Sequence, residues 1–268
     1  MNYEQFLFTL SKKAAKILVK LPSEPNGKEV NPLQLNSKLI FPNYEQDDKK
    51  PRISEQEARF AFCQAFEQTN HGLYYSVETP TEYNYSFKMI EKKAIDDLKV
   101  YLKNSKKTKG QSAQSDMSIF TLEDSGFKQN INVEFKAHNV ELSHIAKDFL
   151  KLLAEPQHGL FFHLVENMDS GTLVSIINKK YNCSINNALE QVEEFNNANK
   201  SNKIKCTKFN YYFAICILKP EKFLITKKLK SNDFNNIDKF FKIEYTASRK
   251  SISFPENKRN GWKVTPIN

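Results

Sequence analysis

Glycine is scarce in this 268-residue chain. Only Gly27, Gly72, Gly110, Gly126, Gly159, Gly171 and Gly261 occur, and no two lie closer than 12 positions. A GxGxxG dinucleotide loop or a GxxxxGK[ST] phosphate loop cannot be built from that spacing. Kinase-type glycine lids and GxSxG nucleophile elbows are excluded on the same ground. The four cysteines, Cys63, Cys183, Cys206 and Cys216, contain no CxxC pair, so neither a zinc knuckle nor a disulfide framework is indicated. The five histidines show no HExxH or comparable ligand spacing. No apolar run reaches 18 residues, and the first residues are too polar for a secretory core. These absences set a cytoplasmic protein with no membrane segment and no nucleotide cofactor as the expectation.

What is abundant is positive charge. Lys and Arg total 40 against 31 Asp and Glu, a net charge of +9 and a pI near 9.1. That balance favours a polyanionic partner. Hydrophobic residues make up 40% and aromatics 12%, enough for a packed core. The length exceeds the usual single domain of about 100–150 residues, which suggests one elaborated domain or one domain with arms.

Apolar residues at helical spacing predict a helix over 3–21, and five prolines between 22 and 51 predict a loopy connection after it. Residues 1–50 thus read as a helical arm and connection. Ser54-Glu55-Gln56-Glu57 is a capping-box pattern opening a helix to about Gln68, with Gly72 as a left-handed cap. Leu73–Glu78 reads as a strand that Asn84–Phe87 extends or pairs, and 88–104 as a helix leading into a lysine-rich tip. Strands are expected over Ser112–Leu122 and Ile131–Ala137, a helix over Glu141–Glu155, and an apolar strand over Leu160–Val165. His158-Gly159-Leu160 echoes His71-Gly72-Leu73, so both read as glycine-capped turns from helix to strand. Beyond 171, one or two helices to Phe195 precede strands at Tyr211–Leu218, Phe223–Thr226 and Lys242–Tyr245, read together as a basic C-terminal extension packed on a core of 51–170.

One constellation carries chemistry. A strand's period of two places Glu134 and Lys136 on one face, about 7 Å apart. If the preceding strand pairs antiparallel, Asp116 approaches the same point. Two carboxylates offer hard oxygen ligands to Mg²⁺, with Mn²⁺ as a substitute, and the Phe135 carbonyl could add a third. The lysine would position water or neutralise transition-state charge. Acid–x–Lys recurs at Asp47, Asp48, Glu91, Asp97 and Glu256, but those read as loops or helix, and Glu134 alone lies in an alternating strand.

At these residues the chain resembles the PD-(D/E)xK nuclease superfamily, over about residues 54–166. The resemblance implies an α/β (α+β) fold with a restriction-endonuclease-like mixed central sheet flanked by helices. It matches Asp116 and Glu134 to metal ligands, Lys136 to the catalytic lysine, and Glu57 to an acidic residue on the first helix. Ser115 stands where the name-giving proline would be. Glu57, three residues after Ser54, equally completes the capping box. The implied activity is metal-dependent hydrolysis of DNA phosphodiester bonds, in a restriction or anti-phage role. Lys106, Lys107, Lys109, Lys203 and Lys205 are candidate phosphate contacts on double-stranded DNA, and a homodimer would let two sites cut both strands. A non-catalytic nucleic-acid-binding subunit on the same fold, or an RNA-cleaving nuclease, are the alternatives.

Overall fold

The structure is a computed structural model describing residues 2–22, 37–44, 47–69, 72–89, 98–103, 113–167, 173, 175–201, 203–219, 222–242, 246–248, 251–253 and 261–268. Helix α1 spans Tyr3–Leu18, followed by the short strands β1 (Asn43–Tyr44) and β2 (Asp47–Pro51). Helix α2 is Glu55–Glu67, and β3 is Tyr74–Pro80. Strands β4 (Asn84–Met89) and β5 (Leu98–Lys103) precede β6 (Gln114–Glu123) and β7 (Gly126–Ala137). Helix α3 (Leu142–Ala154) leads to β8 (His158–Asn167), and two helical segments, Ser175–Tyr181 and Asn182–Ala198, lead to β9 (Tyr211–Lys219). Strands β10 (Phe223–Leu229), β11 (Thr246–Ser248), β12 (Ser251–Ser253) and β13 (Lys263–Pro266) complete the chain.

A seven-stranded mixed sheet in the order β13-β10-β9-β8-β7-β6-β3 organises these elements. β3, β6 and β7 form an antiparallel meander. α3 then carries the chain back so that β8 runs parallel to β7, and β9 parallel to β8. Helices flank both faces, so the two inner parallel strands are buried on both sides. That is why Tyr211–Leu218 is an unbroken apolar run, and Leu160–Val165 one interrupted only by the buried His163, rather than alternating strands. On one face Phe149, Phe161, Tyr181, Phe213 and Phe241 pack around α3. On the other, α1 and α2 pack Leu10, Phe62 and Phe66 against Phe135, Phe162 and Leu224.

The N-terminal helix, expected as an arm, is one of these layers: Leu10, Ala14 and Ala15 are fully buried. The C-terminal part is likewise no added layer, since β9, β10 and β13 are three strands of the central sheet. The expected helix over 88–104 is overturned at its described residues, 88–89 and 98–103, which are strand; 90–97 and 104 lie outside the described residues. Asn84–Met89 and Leu98–Lys103 pair antiparallel as a separate two-stranded ladder. Asp47-Asp48-Lys49-Lys50, read as loop, lies in β2. Of the strand expected at Lys242–Tyr245, Lys242 is irregular and the rest lies outside the described residues.

The two glycine echoes differ in kind. Gly72 has φ +63°, in the left-handed region that favours glycine. Gly159 sits inside β8 with an ordinary backbone, and a Cβ there would lie 2.8 Å from the Tyr211 ring and 3.3 Å from Leu152. It is small because a strand and a helix meet over it.

Candidate functional site

The register of β6 against β7 pairs Met117 with Val133 and Ser118 with Asn132, which brings Asp116 beside Glu134 at the end of the ladder. Asp116 Oδ2 accepts the Phe135 N–H at 2.8 Å, at the centre of Glu134-Phe135-Lys136. The Phe135 ring turns to the opposite face and packs 5.3 Å from Phe62, as strand alternation requires. Asp116, Glu134 and Lys136 are therefore brought together.

Helices α2 and α3 complete the cluster with residues that the sequence reading did not single out. Lys151 Nζ donates to Glu134 Oε2 at 2.5 Å and lies 3.3 Å from Asp148. It also donates to the Gln114 carbonyl at 2.9 Å. Lys136 Nζ lies 2.7 Å from Asp148 and 3.2 Å from Glu55, and donates to the Phe135 carbonyl at 2.9 Å. Arg59 bridges Asp116 at 3.0 Å and Glu78 at 3.3 Å. Glu78 lies between two paired positions of the β3–β6 ladder (Val77 with Met117, Thr79 with Ser115), and its φ of +51° is a strained value for a non-glycine residue beside the cluster.

Five carboxylates (Glu55, Glu78, Asp116, Glu134 and Asp148) thus meet three cations (Arg59, Lys136 and Lys151). Fully ionised, the cluster carries two surplus negative charges. The strain shows in the titration of its members. Burial pushes the Glu134 carboxyl well up, and the charges of Asp148 and Asp116 add to this against the pull of Lys151. Burial also opposes the charge on Asp148, but Lys151 and Lys136 outweigh it and hold that group low. Burial disfavours both ammonium groups too, yet Asp148 and Glu55 raise Lys136, and Glu134 and Asp148 raise Lys151. Burial raises Glu55. The cluster opens to solvent on one side, where Asp116 is 19% and Glu55 37% exposed, against 1% for Glu134.

The donor chemistry fits a hard divalent cation. Glu134 Oε1 is buried and has no protein partner, and the surplus negative charge asks for a cation. Asp116, Glu134 and the Phe135 carbonyl are the oxygens that would hold it. Each also touches a present cation or donor, and among the described residues no three His, Cys, Asp or Glu are arranged as a ready cage. An incoming ion would displace Arg59 from Asp116 or Lys151 from Glu134.

Other expected residues fall elsewhere. Glu57 completes the capping box: Oε2 accepts the Ser54 N–H at 2.8 Å and also the Ser54 hydroxyl, and Arg52 lies 3.7 Å from Oε1. No described contact joins Glu57 to the cluster; Glu55, two residues earlier on a different side of the helix, reaches Lys136 instead. Lys203 and Lys205 are exposed on either side of Ile204, which Asn196 anchors through both backbone groups at 2.7 and 3.0 Å. Lys106, Lys107 and Lys109 lie outside the described residues.

The missed residues left one trace in the sequence. Asp148 and Lys151 stand at i and i+3 in α3 between Phe149, Leu150, Leu152 and Leu153, where charges interrupt a nearly continuous apolar stretch. On an exposed helix face such a pair is ordinary. Here both are buried, at 2% and 3% exposure, because their partners sit on β7 behind them.

No protein-family model matches this sequence, and no curated protein or solved structure matches it either.

Proposed function

We propose that this protein is a metal-dependent nuclease of the PD-(D/E)xK type that hydrolyses phosphodiester bonds in double-stranded DNA, in a restriction or anti-phage role. The observation that carries the reading is the 2.8 Å hydrogen bond from the Phe135 N–H to Asp116, which joins the aspartate of one strand to the Glu-x-Lys of the next. The order α2, β3, β6, β7, α3, β8, with an antiparallel meander followed by a parallel return, supports it. So does the net charge of +9, which suits a phosphate backbone.

In this reading Asp116, Glu134 and the Phe135 carbonyl would hold Mg²⁺ or Mn²⁺, which would supply Lewis-acid charge stabilisation to the hydrolysis. Lys136 is buried and held in place by Asp148 within the cluster and by Glu55 on its open side. There it orients the attacking water or offsets charge on the pentacovalent phosphorus. Asp148 keeps Lys136 charged, so it acts as a positioning residue. Lys203 and Lys205 contribute phosphate contacts. Paired copies would cut both strands, and light scattering with and without DNA checks that pairing.

A second reading draws on a specific observation. Arg59 on Asp116 and Lys151 on Glu134 already compensate the carboxylates, as would suit a binding subunit that retains the scaffold without catalysis. A gel assay on supercoiled and phage DNA, with Mg²⁺, Mn²⁺ or chelator, separates the two. Cleavage that requires metal and is lost in Glu134→Ala and Lys136→Ala, with circular dichroism unchanged, is the expected result. Intact DNA under every condition, with gel shifts independent of metal, would transfer the conclusion to the binding subunit.

A further inference from the structure

A second feature lies at the far edge of the sheet and is independent of the nuclease reading. β10 pairs with β9 along Phe223–Leu229 but with β13 only along Phe223–Thr226. Past Thr226 the outer edge of β10 has no strand partner among the described residues. A cavity of about 560 Å³ opens there, between α1 and β9 on one side and the 231–240 segment on the other. Its size is that of a small-molecule site. β10 itself lies three strand spacings, roughly 14 Å, from β7, which carries Glu134 and Lys136.

Five lysines line it: Lys227, Lys228, Lys230, Lys239 and Lys263. Against them stand Glu4 and Asp233, leaving three positive charges in surplus. Glu4 is committed to Lys228 at 2.9 Å, and Asp233 accepts the Lys230 backbone N–H at 2.7 Å. Lys227 is the most constrained. It is only 7% exposed, and its ammonium donates to the Phe240 carbonyl. That ammonium lies 3.9 Å from the centre of the Phe240 ring and 5.3 Å from that of Trp262. Among the described residues no carboxylate lies within ion-pair distance of it. Burial lowers its pKa to about 8, outweighing the opposing charge of Asp233.

We propose that this cavity binds a phosphate-bearing anion. A carboxylate carries one charge, whereas a pyrophosphoryl group carries enough to balance a surplus of three and presents acceptor oxygens to several ammonium groups at once. The phosphate could belong to a free small molecule or to the 5′ end of a nucleic-acid strand.

Isothermal titration of the full chain with inorganic pyrophosphate, and separately with 5′-phosphorylated and 5′-hydroxyl oligonucleotides, tests this. Lys230 and Lys239 are exposed, so Lys230→Gln with Lys239→Gln should leave the fold intact. Pyrophosphate should bind the wild type and weaken about tenfold or more in that double variant. Equal loss for the 5′-phosphorylated oligonucleotide, with none for the 5′-hydroxyl form, would assign the phosphate to a nucleic-acid end. Binding of pyrophosphate alone would assign it to a small molecule. Absence of pyrophosphate binding at millimolar concentration, or binding undiminished in the double variant, would overturn the proposal. The acidic cluster plays no part in this binding, so the outcome is separable from the cleavage assay.

Discussion

Replacing Lys151 with methionine tests whether the buried cluster is held as described. Lys151 is 3% exposed, supplies the cation nearest Glu134, and is the second cation beside Asp148 after Lys136. Methionine retains the stem's bulk but raises the surplus of negative charge from two to three. Removing one partner of a buried charged pair costs about 3–5 kcal/mol. At about 2–4 °C per kcal/mol for a chain of this size, the melting temperature should fall by roughly 6–20 °C. The pH dependence carries a sign. Glu134 already titrates above the ordinary carboxylate range, and loss of Lys151 removes the strongest pull in the other direction. The folded variant holds its proton at pH values where the unfolded chain has lost it. Its stability therefore falls as pH rises from the ordinary carboxylate range towards the raised value in the fold, and its deficit should narrow from pH 7.5 to pH 5. Adding Glu134→Gln removes the stranded carboxylate and should recover part of the loss. Calorimetry on the three proteins at both pH values measures all of this. A melting temperature within about 2 °C of wild type, or a double variant no better than the single, would refute the reasoning.

His163 makes a second pH prediction. It lies fully buried between the Tyr181 hydroxyl at 2.7 Å and the His138 carbonyl at 2.5 Å, and burial lowers its pKa to about 4. Between pH 6.5 and 4 the unfolded chain takes up a proton that the folded chain refuses, so stability falls as pH falls. The fall from 6.5 to about 4 corresponds to roughly 3 kcal/mol. Urea titrations of wild type and His163→Phe from pH 7 to 4 should converge by about that amount; parallel curves would remove His163 from the account. Lys203→Glu with Lys205→Glu should weaken DNA binding and lower the salt slope by about two, at roughly 0.9 per phosphate contact. An unchanged slope would take that exposed pair out of the interface.

Local patterns carried much of the fold. The capping box at Ser54 and Glu57 is satisfied by atoms three residues apart, so it forms wherever the helix does. The alternation of Ile131, Val133 and Phe135 with Asn132, Glu134 and Lys136 is set by backbone geometry, which is why the Glu-x-Lys face was legible. Residues 98–103 show where pattern fails. Leu98 and Leu102 have helical spacing, while Val100 between them alternates with Lys99 and Tyr101 as in a strand. Six residues cannot distinguish the two periods, and pairing with Asn84–Met89 resolves it as β5.

The sequence by itself determined the excluded enzyme classes, the positive charge, the helices and strands with long clean periods, and the strand face bearing Glu134 and Lys136. Tertiary structure alone decided what surrounds that face. Arg59 and Glu55 come from α2, and Asp148 and Lys151 from α3, at sequence separations of 12 to 81 residues from Glu134 and Lys136. Each looks like an ordinary surface charge on its own helix. The packing of both helices against β7 excludes water, and that exclusion turns them into a coupled cluster whose charges must answer one another. The basic cavity arises in the same way, because β13 stops pairing at Thr226 while β10 continues, and the lysines at that step come from separate parts of the chain.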